Sequence, residues 1–470
     1  MQVTSPLVML HLGLGSFHRA HQAVYLQHLR ASGDTRWELC GANLRPDGLE
    51  TIAALQASNG RYTLETVAPA GERSYEVIES IKRVIAYSSG GAEVMNVGAD
   101  PSTRIISFTV TEAGYYLDDK DQIEGSAPEV IADLKSCAEC KLGHTIYGAL
   151  TSILNERMKR NAGRVTLLNC DNLRHNGVRA RAGLLQFIAL LNRPELLAWI
   201  SANTSSPNAM VDRITPRPTS DVRARVLEAT GRDDPAALMG ESFIQWVIED
   251  NFCNGRPAFE SVGVEMVALV APYEEAKIRL LNATHSCIAW AGTLLGYRYI
   301  HQGTHNPAIR QIAFDYVTDD VIPVISPSPI NLEQYRDVVL DRFGNAAIAD
   351  TNQRVAMDGF SKIPGFIAPT IRERLKRGQS IASVAMLPAL FLALLQRWHV
   401  GELPYRYEDQ VMNGELAHAM CDASDPVAAM VGSEPLWGDL AGDAELIAAI
   451  RIAQRRVNEL ISTHRAAGLS

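Results

Sequence analysis

Long apolar runs, basic clusters and paired cysteine motifs are missing or scarce in this chain. The longest apolar stretch, near residues 386–395, is too short to cross a lipid bilayer. The net charge is −9 and no basic run occurs, which argues against a nucleic-acid partner and against binding to an anionic membrane. A strand-like segment follows the N-terminus almost directly, so we expect no secretory signal peptide. These absences predict a cytoplasmic protein that binds neither nucleic acid nor membrane.

The cysteines argue against both disulfides and a metal site. Seven cysteines in 470 residues suit a reducing cytoplasm without structural disulfides. The one close pair is Cys137 and Cys140, followed by His144. A structural zinc site needs four ligands, usually from two such pairs, and no second pair exists. We therefore predict no metal, and interpret the pair as a surface turn with two free thiols.

The first half of the chain alternates between strand and helix patterns, as in a parallel sheet covered by helices on both faces. Short apolar, β-branched runs predict strands at 7–12, 37–42, 63–67, 75–81, 104–111 and 165–169. Periodic segments predict helices at 17–26, 128–134, 145–161 and 177–191.

The second half is almost free of strand patterns. Helices are predicted at 306–317, 331–343, 381–396, 414–420 and 443–461, and Pro388 is expected to kink or interrupt the third of these. We place a domain boundary near 267–272. The prediction is an α/β protein: an N-terminal Rossmann-like doubly wound domain, residues 1–270, and a mostly α-helical substrate-binding and catalytic domain, residues 271–470. Ligands are expected in the cleft between such domains.

A glycine turn follows the first predicted strand. Gly13 and Gly15 match the first two glycines of a dinucleotide-binding fingerprint, whereas the third position holds His18. Arg19 would add positive charge near a phosphate. The alternative is an ordinary glycine turn with an exposed arginine.

Polar residues follow several other predicted strands. After the second strand, Asp47 would bind the ribose 2′-hydroxyl of NAD, whereas Arg45 would accommodate the 2′-phosphate of NADP. Thr111 and Glu112 would bracket the nicotinamide or its ribose. Asn172 places an amide after a central strand, although Asp and Asn in such places often only start turns.

The segment from Lys277 to His285 carries the most informative set of polar residues. On a regular helix Lys277, Asn282 and His285 lie at about 0°, 140° and 80°, so all three can border one pocket. A desolvated lysine can act as a base, an amide can donate to an oxyanion, and a histidine can orient a substrate. The alternative is a helix start with a snorkelling lysine, a capped turn and a core histidine.

Further polar residues stand in apolar surroundings at Asp212, Arg354 and Lys362. A polyhydroxylated ligand needs convergent donors and acceptors of this kind. Surface salt bridges are the ordinary alternative explanation.

In these segments the chain resembles the polyol-specific long-chain dehydrogenases, the mannitol dehydrogenase family. The resemblance runs from near residue 10 to about residue 290 and extends to residue 364. The matching segments are HLGLGSFHRAHQA, TVTEAGYY, LLNCDNLRHNG, NAMVDRITP, QWVIEDNF, PYEEAKIRLLNATHS and DTNQRVAMDGFSKIP.

The resemblance implies zinc-independent oxidation of a polyol hydroxyl with a nicotinamide cofactor. It implies that Lys277 is the base, that Asn172 and Asn282 hold the alkoxide, and that His285 orients the substrate and bonds to the reacting oxygen. Further roles are implied for hydroxyl contacts at Asp212, Arg354 and Lys362, and for proton and water traffic at Glu112 and Glu274. We expect NAD to contact Gly13, Gly15, Phe17, His18, Arg19, Asp47, Thr111 and Glu112.

The finer expectations concern the substrate. The segments RYTLETVAP, NATHSCIAWAGTL, DDVIPVI and MLPALF resemble members that act on D-arabinitol, giving D-xylulose, more than those that convert D-mannitol to D-fructose. Ala283 and Thr284 replace the Gly-Ser of the mannitol enzymes beside His285. We expect a monomer. Competing hypotheses are a non-catalytic sugar- or nucleotide-binding regulator on the same fold and a zinc-dependent alcohol dehydrogenase.

Overall fold

The computed structural model describes residues 6–88, 91–110, 112–118 and 120–468, except for the side chains of residues 112 and 113. The chain divides into two compact units. The first comprises Met1–Ala68 and Glu72–Ala271, and the second comprises Pro69–Gly71 and Pro272–Ser470.

The first unit is built on a parallel sheet. Its described residues form twelve strands, which in chain order are β1 Leu7–Leu12, β2 Trp37–Ala42, β3 Tyr62–Val67, β4 Arg73–Ile78, β5 Ile81–Ile85, β6 Thr103–Phe108, β7 Val165–Asn169, β8 Thr204–Ser205, β9 Ala209–Asp212, β10 Leu238–Glu241, β11 Gln245–Glu249 and β12 Glu265–Val267. Six of them make the main sheet, in the order β5-β2-β1-β6-β7-β8, with every pair parallel. The direction of winding reverses beside β1, which is the doubly wound order of dinucleotide-binding sheets and confirms the predicted fold class.

Burial on both faces explains why these strands read as continuous apolar runs. Met9 of β1 packs into one hydrophobic core, whereas its neighbour Leu10 packs into the core on the opposite face of the sheet. Every residue of β7 is buried. The helices of this unit are Ser16–Ala20, Gln22–Ala31, Leu49–Ala57, Ala92–Gly98, Pro128–Ala138, Ile146–Lys159, Asn176–Leu190, Pro194–Asn203 and Ser220–Thr230, with 3₁₀ turns at Glu112–Tyr115 and Phe259–Val262.

Two small sheets complete this unit, with the strand orders β10-β3-β4 and β12-β11-β9. The expected strand pair is present as antiparallel β3 and β4, but Ile81 starts β5 of the main sheet instead of ending β4. The predicted helix 17–26 is wrong as one element, because His21 breaks it with φ −126° and ψ −86°.

The described part of the second unit contains helices and no strand beyond isolated bridge residues. Its α-helices, counted from the one that begins at Ala271, are Ala271–Ala276, Ala283–Leu294, Ile300–His305, Pro307–Asp315, Ile322–Ile325, Leu332–Phe343, Asn352–Ala356, Gly359–Lys362, Ala368–Lys376, Met386–His399, Gly414–Asp422, Pro426–Val431, Glu434–Trp437 and Ala444–Ala466. Three π-helical segments, Lys277–Asn282, Tyr316–Val321 and Ile363–Ile367, and two 3₁₀ turns, Ala346–Ile348 and Gly438–Leu440, lie between them.

Helix Ala283–Leu294 forms the centre of this unit. Its Trp290 packs against Phe391, with ring centroids 5.1 Å apart, and donates a hydrogen bond of 3.1 Å to the carbonyl of Ala356. The expected kink at Pro388 is wrong, because the helix begins only at Met386 and the proline lies in its first turn, where a missing N–H costs nothing. Among the described residues, no helix is long and apolar enough to cross a membrane.

The turn after β1 requires glycine at Gly13, which has φ +99°. A β-carbon at Gly13 would lie 2.2 Å from the carbonyl oxygen of Thr109, whereas one at Gly33, with φ +103°, would meet nothing within 4 Å. Gly33→Ala should therefore cost only the backbone strain, about 1–2 kcal/mol. Gly13→Ala should cost more than about 3 kcal/mol, because a main-chain oxygen must move. Urea unfolding of both variants measures the difference, and equal losses would contradict the steric argument.

Candidate active site

Lys277, Asn282 and His285 lie in consecutive helical turns of the second unit, but the helix is not regular. Residues Lys277–Asn282 form a π-helical segment between two α-helices, and the N–H of Ala283 bonds to the carbonyl of Ile278, five residues back. The regular-helix angles assumed for these residues are therefore wrong. In an i→i+5 turn, residues five apart lie nearly one above the other, so Lys277 and Asn282 share one side of the helix.

A tertiary contact accounts for the wide turn. The carbonyl of Arg279 would ordinarily accept from the N–H of Ala283, which here bonds elsewhere. Instead it accepts a hydrogen bond of 2.9 Å from the hydroxyl of Tyr316, whose side chain is fully buried. The inserted side chain thus gives this carbonyl a donor from outside the helix in place of the N–H of Ala283.

Lys277 and Glu274 are both buried in this region. Lys277 is 7% exposed and Glu274, in the preceding helix Ala271–Ala276, is 6% exposed. Burial of two ionisable side chains three residues apart is costly unless each has polar partners. Both side chains are therefore expected to have polar partners within the fold.

His285 is held from two sides. Its ring stacks on Phe343, with centroids 4.3 Å apart and an interplanar angle of 15°. Its Nε2 lies 3.3 Å from a carboxylate oxygen of Asp350, as an ion-pair contact rather than a well-directed hydrogen bond. Burial lowers the pKa of His285, and Arg354 and Lys362 lower it further, so that together they outweigh the opposite effect of Asp350. The imidazole is therefore neutral near pH 7.

The two cations expected to contact substrate hydroxyls lie near this histidine. The guanidinium of Arg354 binds both oxygens of Asp350, at 2.7 and 2.5 Å, and its side chain is 65% exposed. Lys362 donates to the carbonyl of Val355 at 2.6 Å. Desolvation opposes ionisation of Asp350, but its contacts with His285 and Arg354 outweigh it and hold the pKa of that carboxyl well below its ordinary value.

In the first unit, the glycine turn lies where the doubly wound sheet reverses. Gly13 approaches Thr109, whose hydroxyl donates to the Gly13 carbonyl at 3.1 Å. Gly15 is exposed, and a β-carbon there would meet only the Gly13 carbonyl, at 3.9 Å. The backbone of this turn is thus open to a ligand. The half-buried Phe17 follows it and stacks on His21.

His18 and Arg19 face the protein interior. The ring of His18 stacks on His11 at 3.5 Å, and burial lowers the pKa of His11 to about 3, so both rings are neutral. The guanidinium of Arg19 is buried and donates to the carbonyl of Ala236 at 2.6 Å. Contrary to the sequence alternative, Arg19 is not exposed, and its bond to the main chain gives it a structural role.

The loop after β2 contributes Asn43, which the sequence analysis did not single out. Its amide oxygen accepts from the N–H of Leu14 at 3.1 Å, and its amide nitrogen donates to the carbonyl of Asp47 at 3.1 Å. Asp47 itself is exposed, and Arg45 donates to the hydroxyl of Tyr116 at 3.2 Å. Asn43 therefore connects the glycine turn to the segment that carries both candidate ribose contacts.

The loop after β7 holds Asn172 beside a buried carboxylate. Asp171 accepts from the N–H of Val110 at 2.9 Å and from the hydroxyl of Tyr115 at 2.5 Å. These bonds fix the backbone next to Asn172, which is exposed. Asp212 ends β9 and is 5% exposed.

Two predicted residues cannot be placed in full. Thr111 lies outside the described residues. Glu112 begins the 3₁₀ turn Glu112–Tyr115, and its side chain lies outside the described part. Within the described ranges, no group of three or more His, Cys, Asp or Glu side chains is arranged to hold a metal ion. Cys137 is buried and Cys140 is exposed.

Comparisons with known proteins agree along the whole chain. Residues 8–261 match the mannitol dehydrogenase Rossmann domain and residues 269–458 the mannitol dehydrogenase C-terminal domain. The chain is 58% identical over 452 residues to a D-arabinitol 4-dehydrogenase of Ralstonia nicotianae, covering 96% of each chain. It is 53% identical over 453 residues to a D-arabinitol 4-dehydrogenase of Klebsiella pneumoniae, covering 96% of this chain and 98% of the relative.

A solved structure extends the likeness to three dimensions. Mannitol 2-dehydrogenase of Pseudomonas fluorescens, in a ternary complex with NAD and D-mannitol, superposes with a TM-score of 0.83 at 33% identity. The match covers 99% of this chain and 94% of that one.

The π turn should depend on the hydroxyl of Tyr316. Tyr316→Phe leaves the buried carbonyl of Arg279 without its partner, which should cost about 1–3 kcal/mol and speed amide hydrogen exchange across Lys277–Asn282. Tyr405→Phe is the matched control, because it removes a hydroxyl bonded at 2.8 Å to Thr293, on the next helix but away from the π turn. Unchanged exchange at 277–282 in Tyr316→Phe would show that the hydroxyl does not support the turn.

Proposed function

The chain belongs to the mannitol dehydrogenase family, and we propose that it is an NAD-dependent polyol dehydrogenase that converts D-arabinitol to D-xylulose, and the reverse, without a metal. The observation that carries the proposal is the π turn that places Lys277 and Asn282 on one side of a buried helix, followed by His285. A base, an amide donor and an orienting imidazole are the parts that metal-free alcohol oxidation needs.

The glycine turn suits a dinucleotide. Gly13 supplies the sharp turn, and Gly15 has no side chain to keep a pyrophosphate from the backbone. NAD, when bound, supplies the acceptor for the hydride. Asp47 is our proposed partner for the ribose 2′-hydroxyl, and Asn43 holds its loop against the turn through the bond to Leu14. Phe17, Thr111 and Glu112 remain proposed cofactor contacts.

Oxidation removes a proton from the hydroxyl oxygen and a hydride from the C–H bond of the same carbon, and NAD would accept the hydride. Neutral Lys277 takes the proton. The amides of Asn282 and, as implied by its motif, Asn172 donate hydrogen bonds to the oxygen as negative charge develops on it. Glu274 then passes the proton from Lys277 toward water. Each step uses a protein group, so no Lewis acid is required.

The remaining side chains recognise the other hydroxyls. We assign this role to Arg354, Lys362 and Asp212, and assign His285 to substrate orientation. Hydroxyl groups need matched donors and acceptors, and a site built for them rejects analogues that lack one. The names of the two relatives that share more than half of their residues with this chain favour D-arabinitol. D-mannitol is the alternative, because the solved relative holds it.

The substrate is tested by following the absorbance at about 340 nm of the NADH that forms. D-arabinitol, D-mannitol, D-sorbitol, xylitol and L-arabinitol are each supplied with NAD and with NADP. We expect the highest kcat/KM for D-arabinitol with NAD. Preference for D-mannitol would retain the enzyme class and overturn the substrate, and no reduction with any polyol would overturn the proposed function.

The base is tested by Lys277→Ala. We expect turnover near neutral pH to fall by roughly 10²- to 10⁴-fold, the contribution of a general base, with unchanged NAD affinity and partial rescue by added primary amines. Lys376→Ala, at the exposed end of helix Ala368–Lys376, is the control and should retain activity. Full activity of Lys277→Ala would refute the assignment, and cofactor binding without turnover in the wild type would instead indicate a non-catalytic binding protein.

A further inference from the structure

Asp350 is a nearly buried carboxylate to which the reaction as proposed gives no role. Its side chain is 10% exposed, and it contacts two residues that are expected to meet the substrate, His285 and Arg354.

The backbone holds Asp350 firmly in place. Its carbonyl accepts from the N–H of Ile300 at 2.9 Å, and the next residue, Thr351, forms an antiparallel bridge with Tyr299. Ala349, immediately before it, has φ +52°, a left-handed conformation that is unfavourable for a residue with a β-carbon. Strain of this kind persists only where surrounding contacts over-determine the conformation, and it is frequent at functional sites.

The contact with Asp350 selects one form of the imidazole. An ionised carboxylate can only accept hydrogen bonds, so a lone pair on the Nε2 of His285 would face negative charge at 3.3 Å. A proton on Nε2 removes that repulsion and leaves Nδ1 with the lone pair. Stacking on Phe343 restrains the ring from turning over.

We propose that Asp350 is a positioning residue that keeps the neutral imidazole of His285 in its Nε2–H tautomer and holds the guanidinium of Arg354 in a fixed orientation for the substrate. In that tautomer, Nδ1 can accept a hydrogen bond but cannot donate one. His285 would then bind a substrate hydroxyl that keeps its proton, next to the oxygen that Lys277 deprotonates, which revises the bond to the reacting oxygen itself that the resemblance implies. The substrate part rests on the proposed function, whereas the tautomer is a property of the protein alone.

The charges around His285 give the proposal a second consequence. Among the described contacts, the charged groups that act on it are Asp350, Arg354 and Lys362, and helix Leu332–Phe343 presents the uncharged ring of Phe343. Asp350 is the one group of these that favours the imidazolium. Removing its charge leaves the two cations unopposed, so the pKa of His285 should fall further, and a pH titration of the ring signals of His285 by NMR measures this shift.

Asp350→Asn tests this, because it removes the charge while keeping the shape. Asp341→Asn is the matched control: Asp341 also pairs with an arginine, Arg310 at 3.1 Å, but its side chain is 63% exposed. We expect Asp350→Asn to lower kcat/KM with the polyol by on the order of 10- to 100-fold, and Asp341→Asn to change it less than about twofold. Asp350→Glu, which restores the carboxylate, should recover part of the loss.

Two readouts separate positioning from a structural role. Nitrogen-15 NMR of the histidine rings should show His285 with the proton on Nε2 in the wild type and a mixture of tautomers in Asp350→Asn. The His285 signal is identified because it is missing from the spectrum of His285→Gln. In the His285→Gln background, Asp350→Asn should cost less than it does alone, because part of its effect acts through the missing ring.

An unchanged tautomer together with an unchanged pKa of the His285 ring in Asp350→Asn would overturn the proposal, even if activity falls. If Asp350→Asn does not fold, the wild-type spectrum decides, because a His285 ring with its proton on Nδ1 would overturn the proposal. If the wild type oxidises no polyol, the proposed function fails, and the tautomer still tests Asp350 in the protein without substrate.

Discussion

The hydrogen bond from Tyr316 to the carbonyl of Arg279 is the constraint on which the proposed catalytic arrangement of Lys277 and Asn282 depends. On a regular helix, Lys277 and Asn282 would be about 140° apart, and a base and an oxyanion donor so separated would not serve one oxygen well. The π turn brings them closer to one side, and it takes the N–H of Ala283 away from the carbonyl of Arg279. A buried carbonyl left unbonded costs about 1–3 kcal/mol, so the turn needs a donor from elsewhere in the fold.

That donor belongs to a second irregular helix. Tyr316 opens the π-helical segment Tyr316–Val321, and a third such segment, Ile363–Ile367, begins directly after Lys362. The π conformation is rare in proteins and concentrates at functional sites. The segment Lys277–Asn282 begins at Lys277 and the segment Ile363–Ile367 follows Lys362, and both lysines are proposed to act on the substrate. The remaining segment, Tyr316–Val321, supplies the hydroxyl that bonds to the first segment. The first two of these irregular segments are thus coupled through a side-chain contact.

Sequence patterns predicted those strands whose bounds depend on the residues of the strand itself. The bounds of β1, β2 and β7 could be read from the sequence because each is an apolar run buried on both faces. β6 ends three residues before its β-branched pattern does, because the N–H of Val110 bonds to the carboxylate of Asp171 and the hydroxyl of Thr109 to Gly13. The π turn and the role of Asp350 could not be predicted, since Tyr316 is 37 residues from Arg279 and Asp350 is 65 from His285 in sequence.

The glycine fingerprint departs from its full pattern at the third glycine position. Its third glycine ordinarily permits a helix to pack closely on the strand. Here that position carries His18, whose flat ring lies parallel to that of His11 on β1, at 3.5 Å and an interplanar angle of 14°. Burial keeps both rings uncharged, so they do not repel each other beneath the turn that we propose to bind an anionic pyrophosphate. Close packing is achieved by ring stacking instead of by a missing side chain, and the helix breaks at His21, directly after this first short turn. The third position of the fingerprint therefore requires close packing of the helix on the strand rather than glycine itself. A planar, neutral side chain can pack closely there, whereas a bulky aliphatic side chain could not.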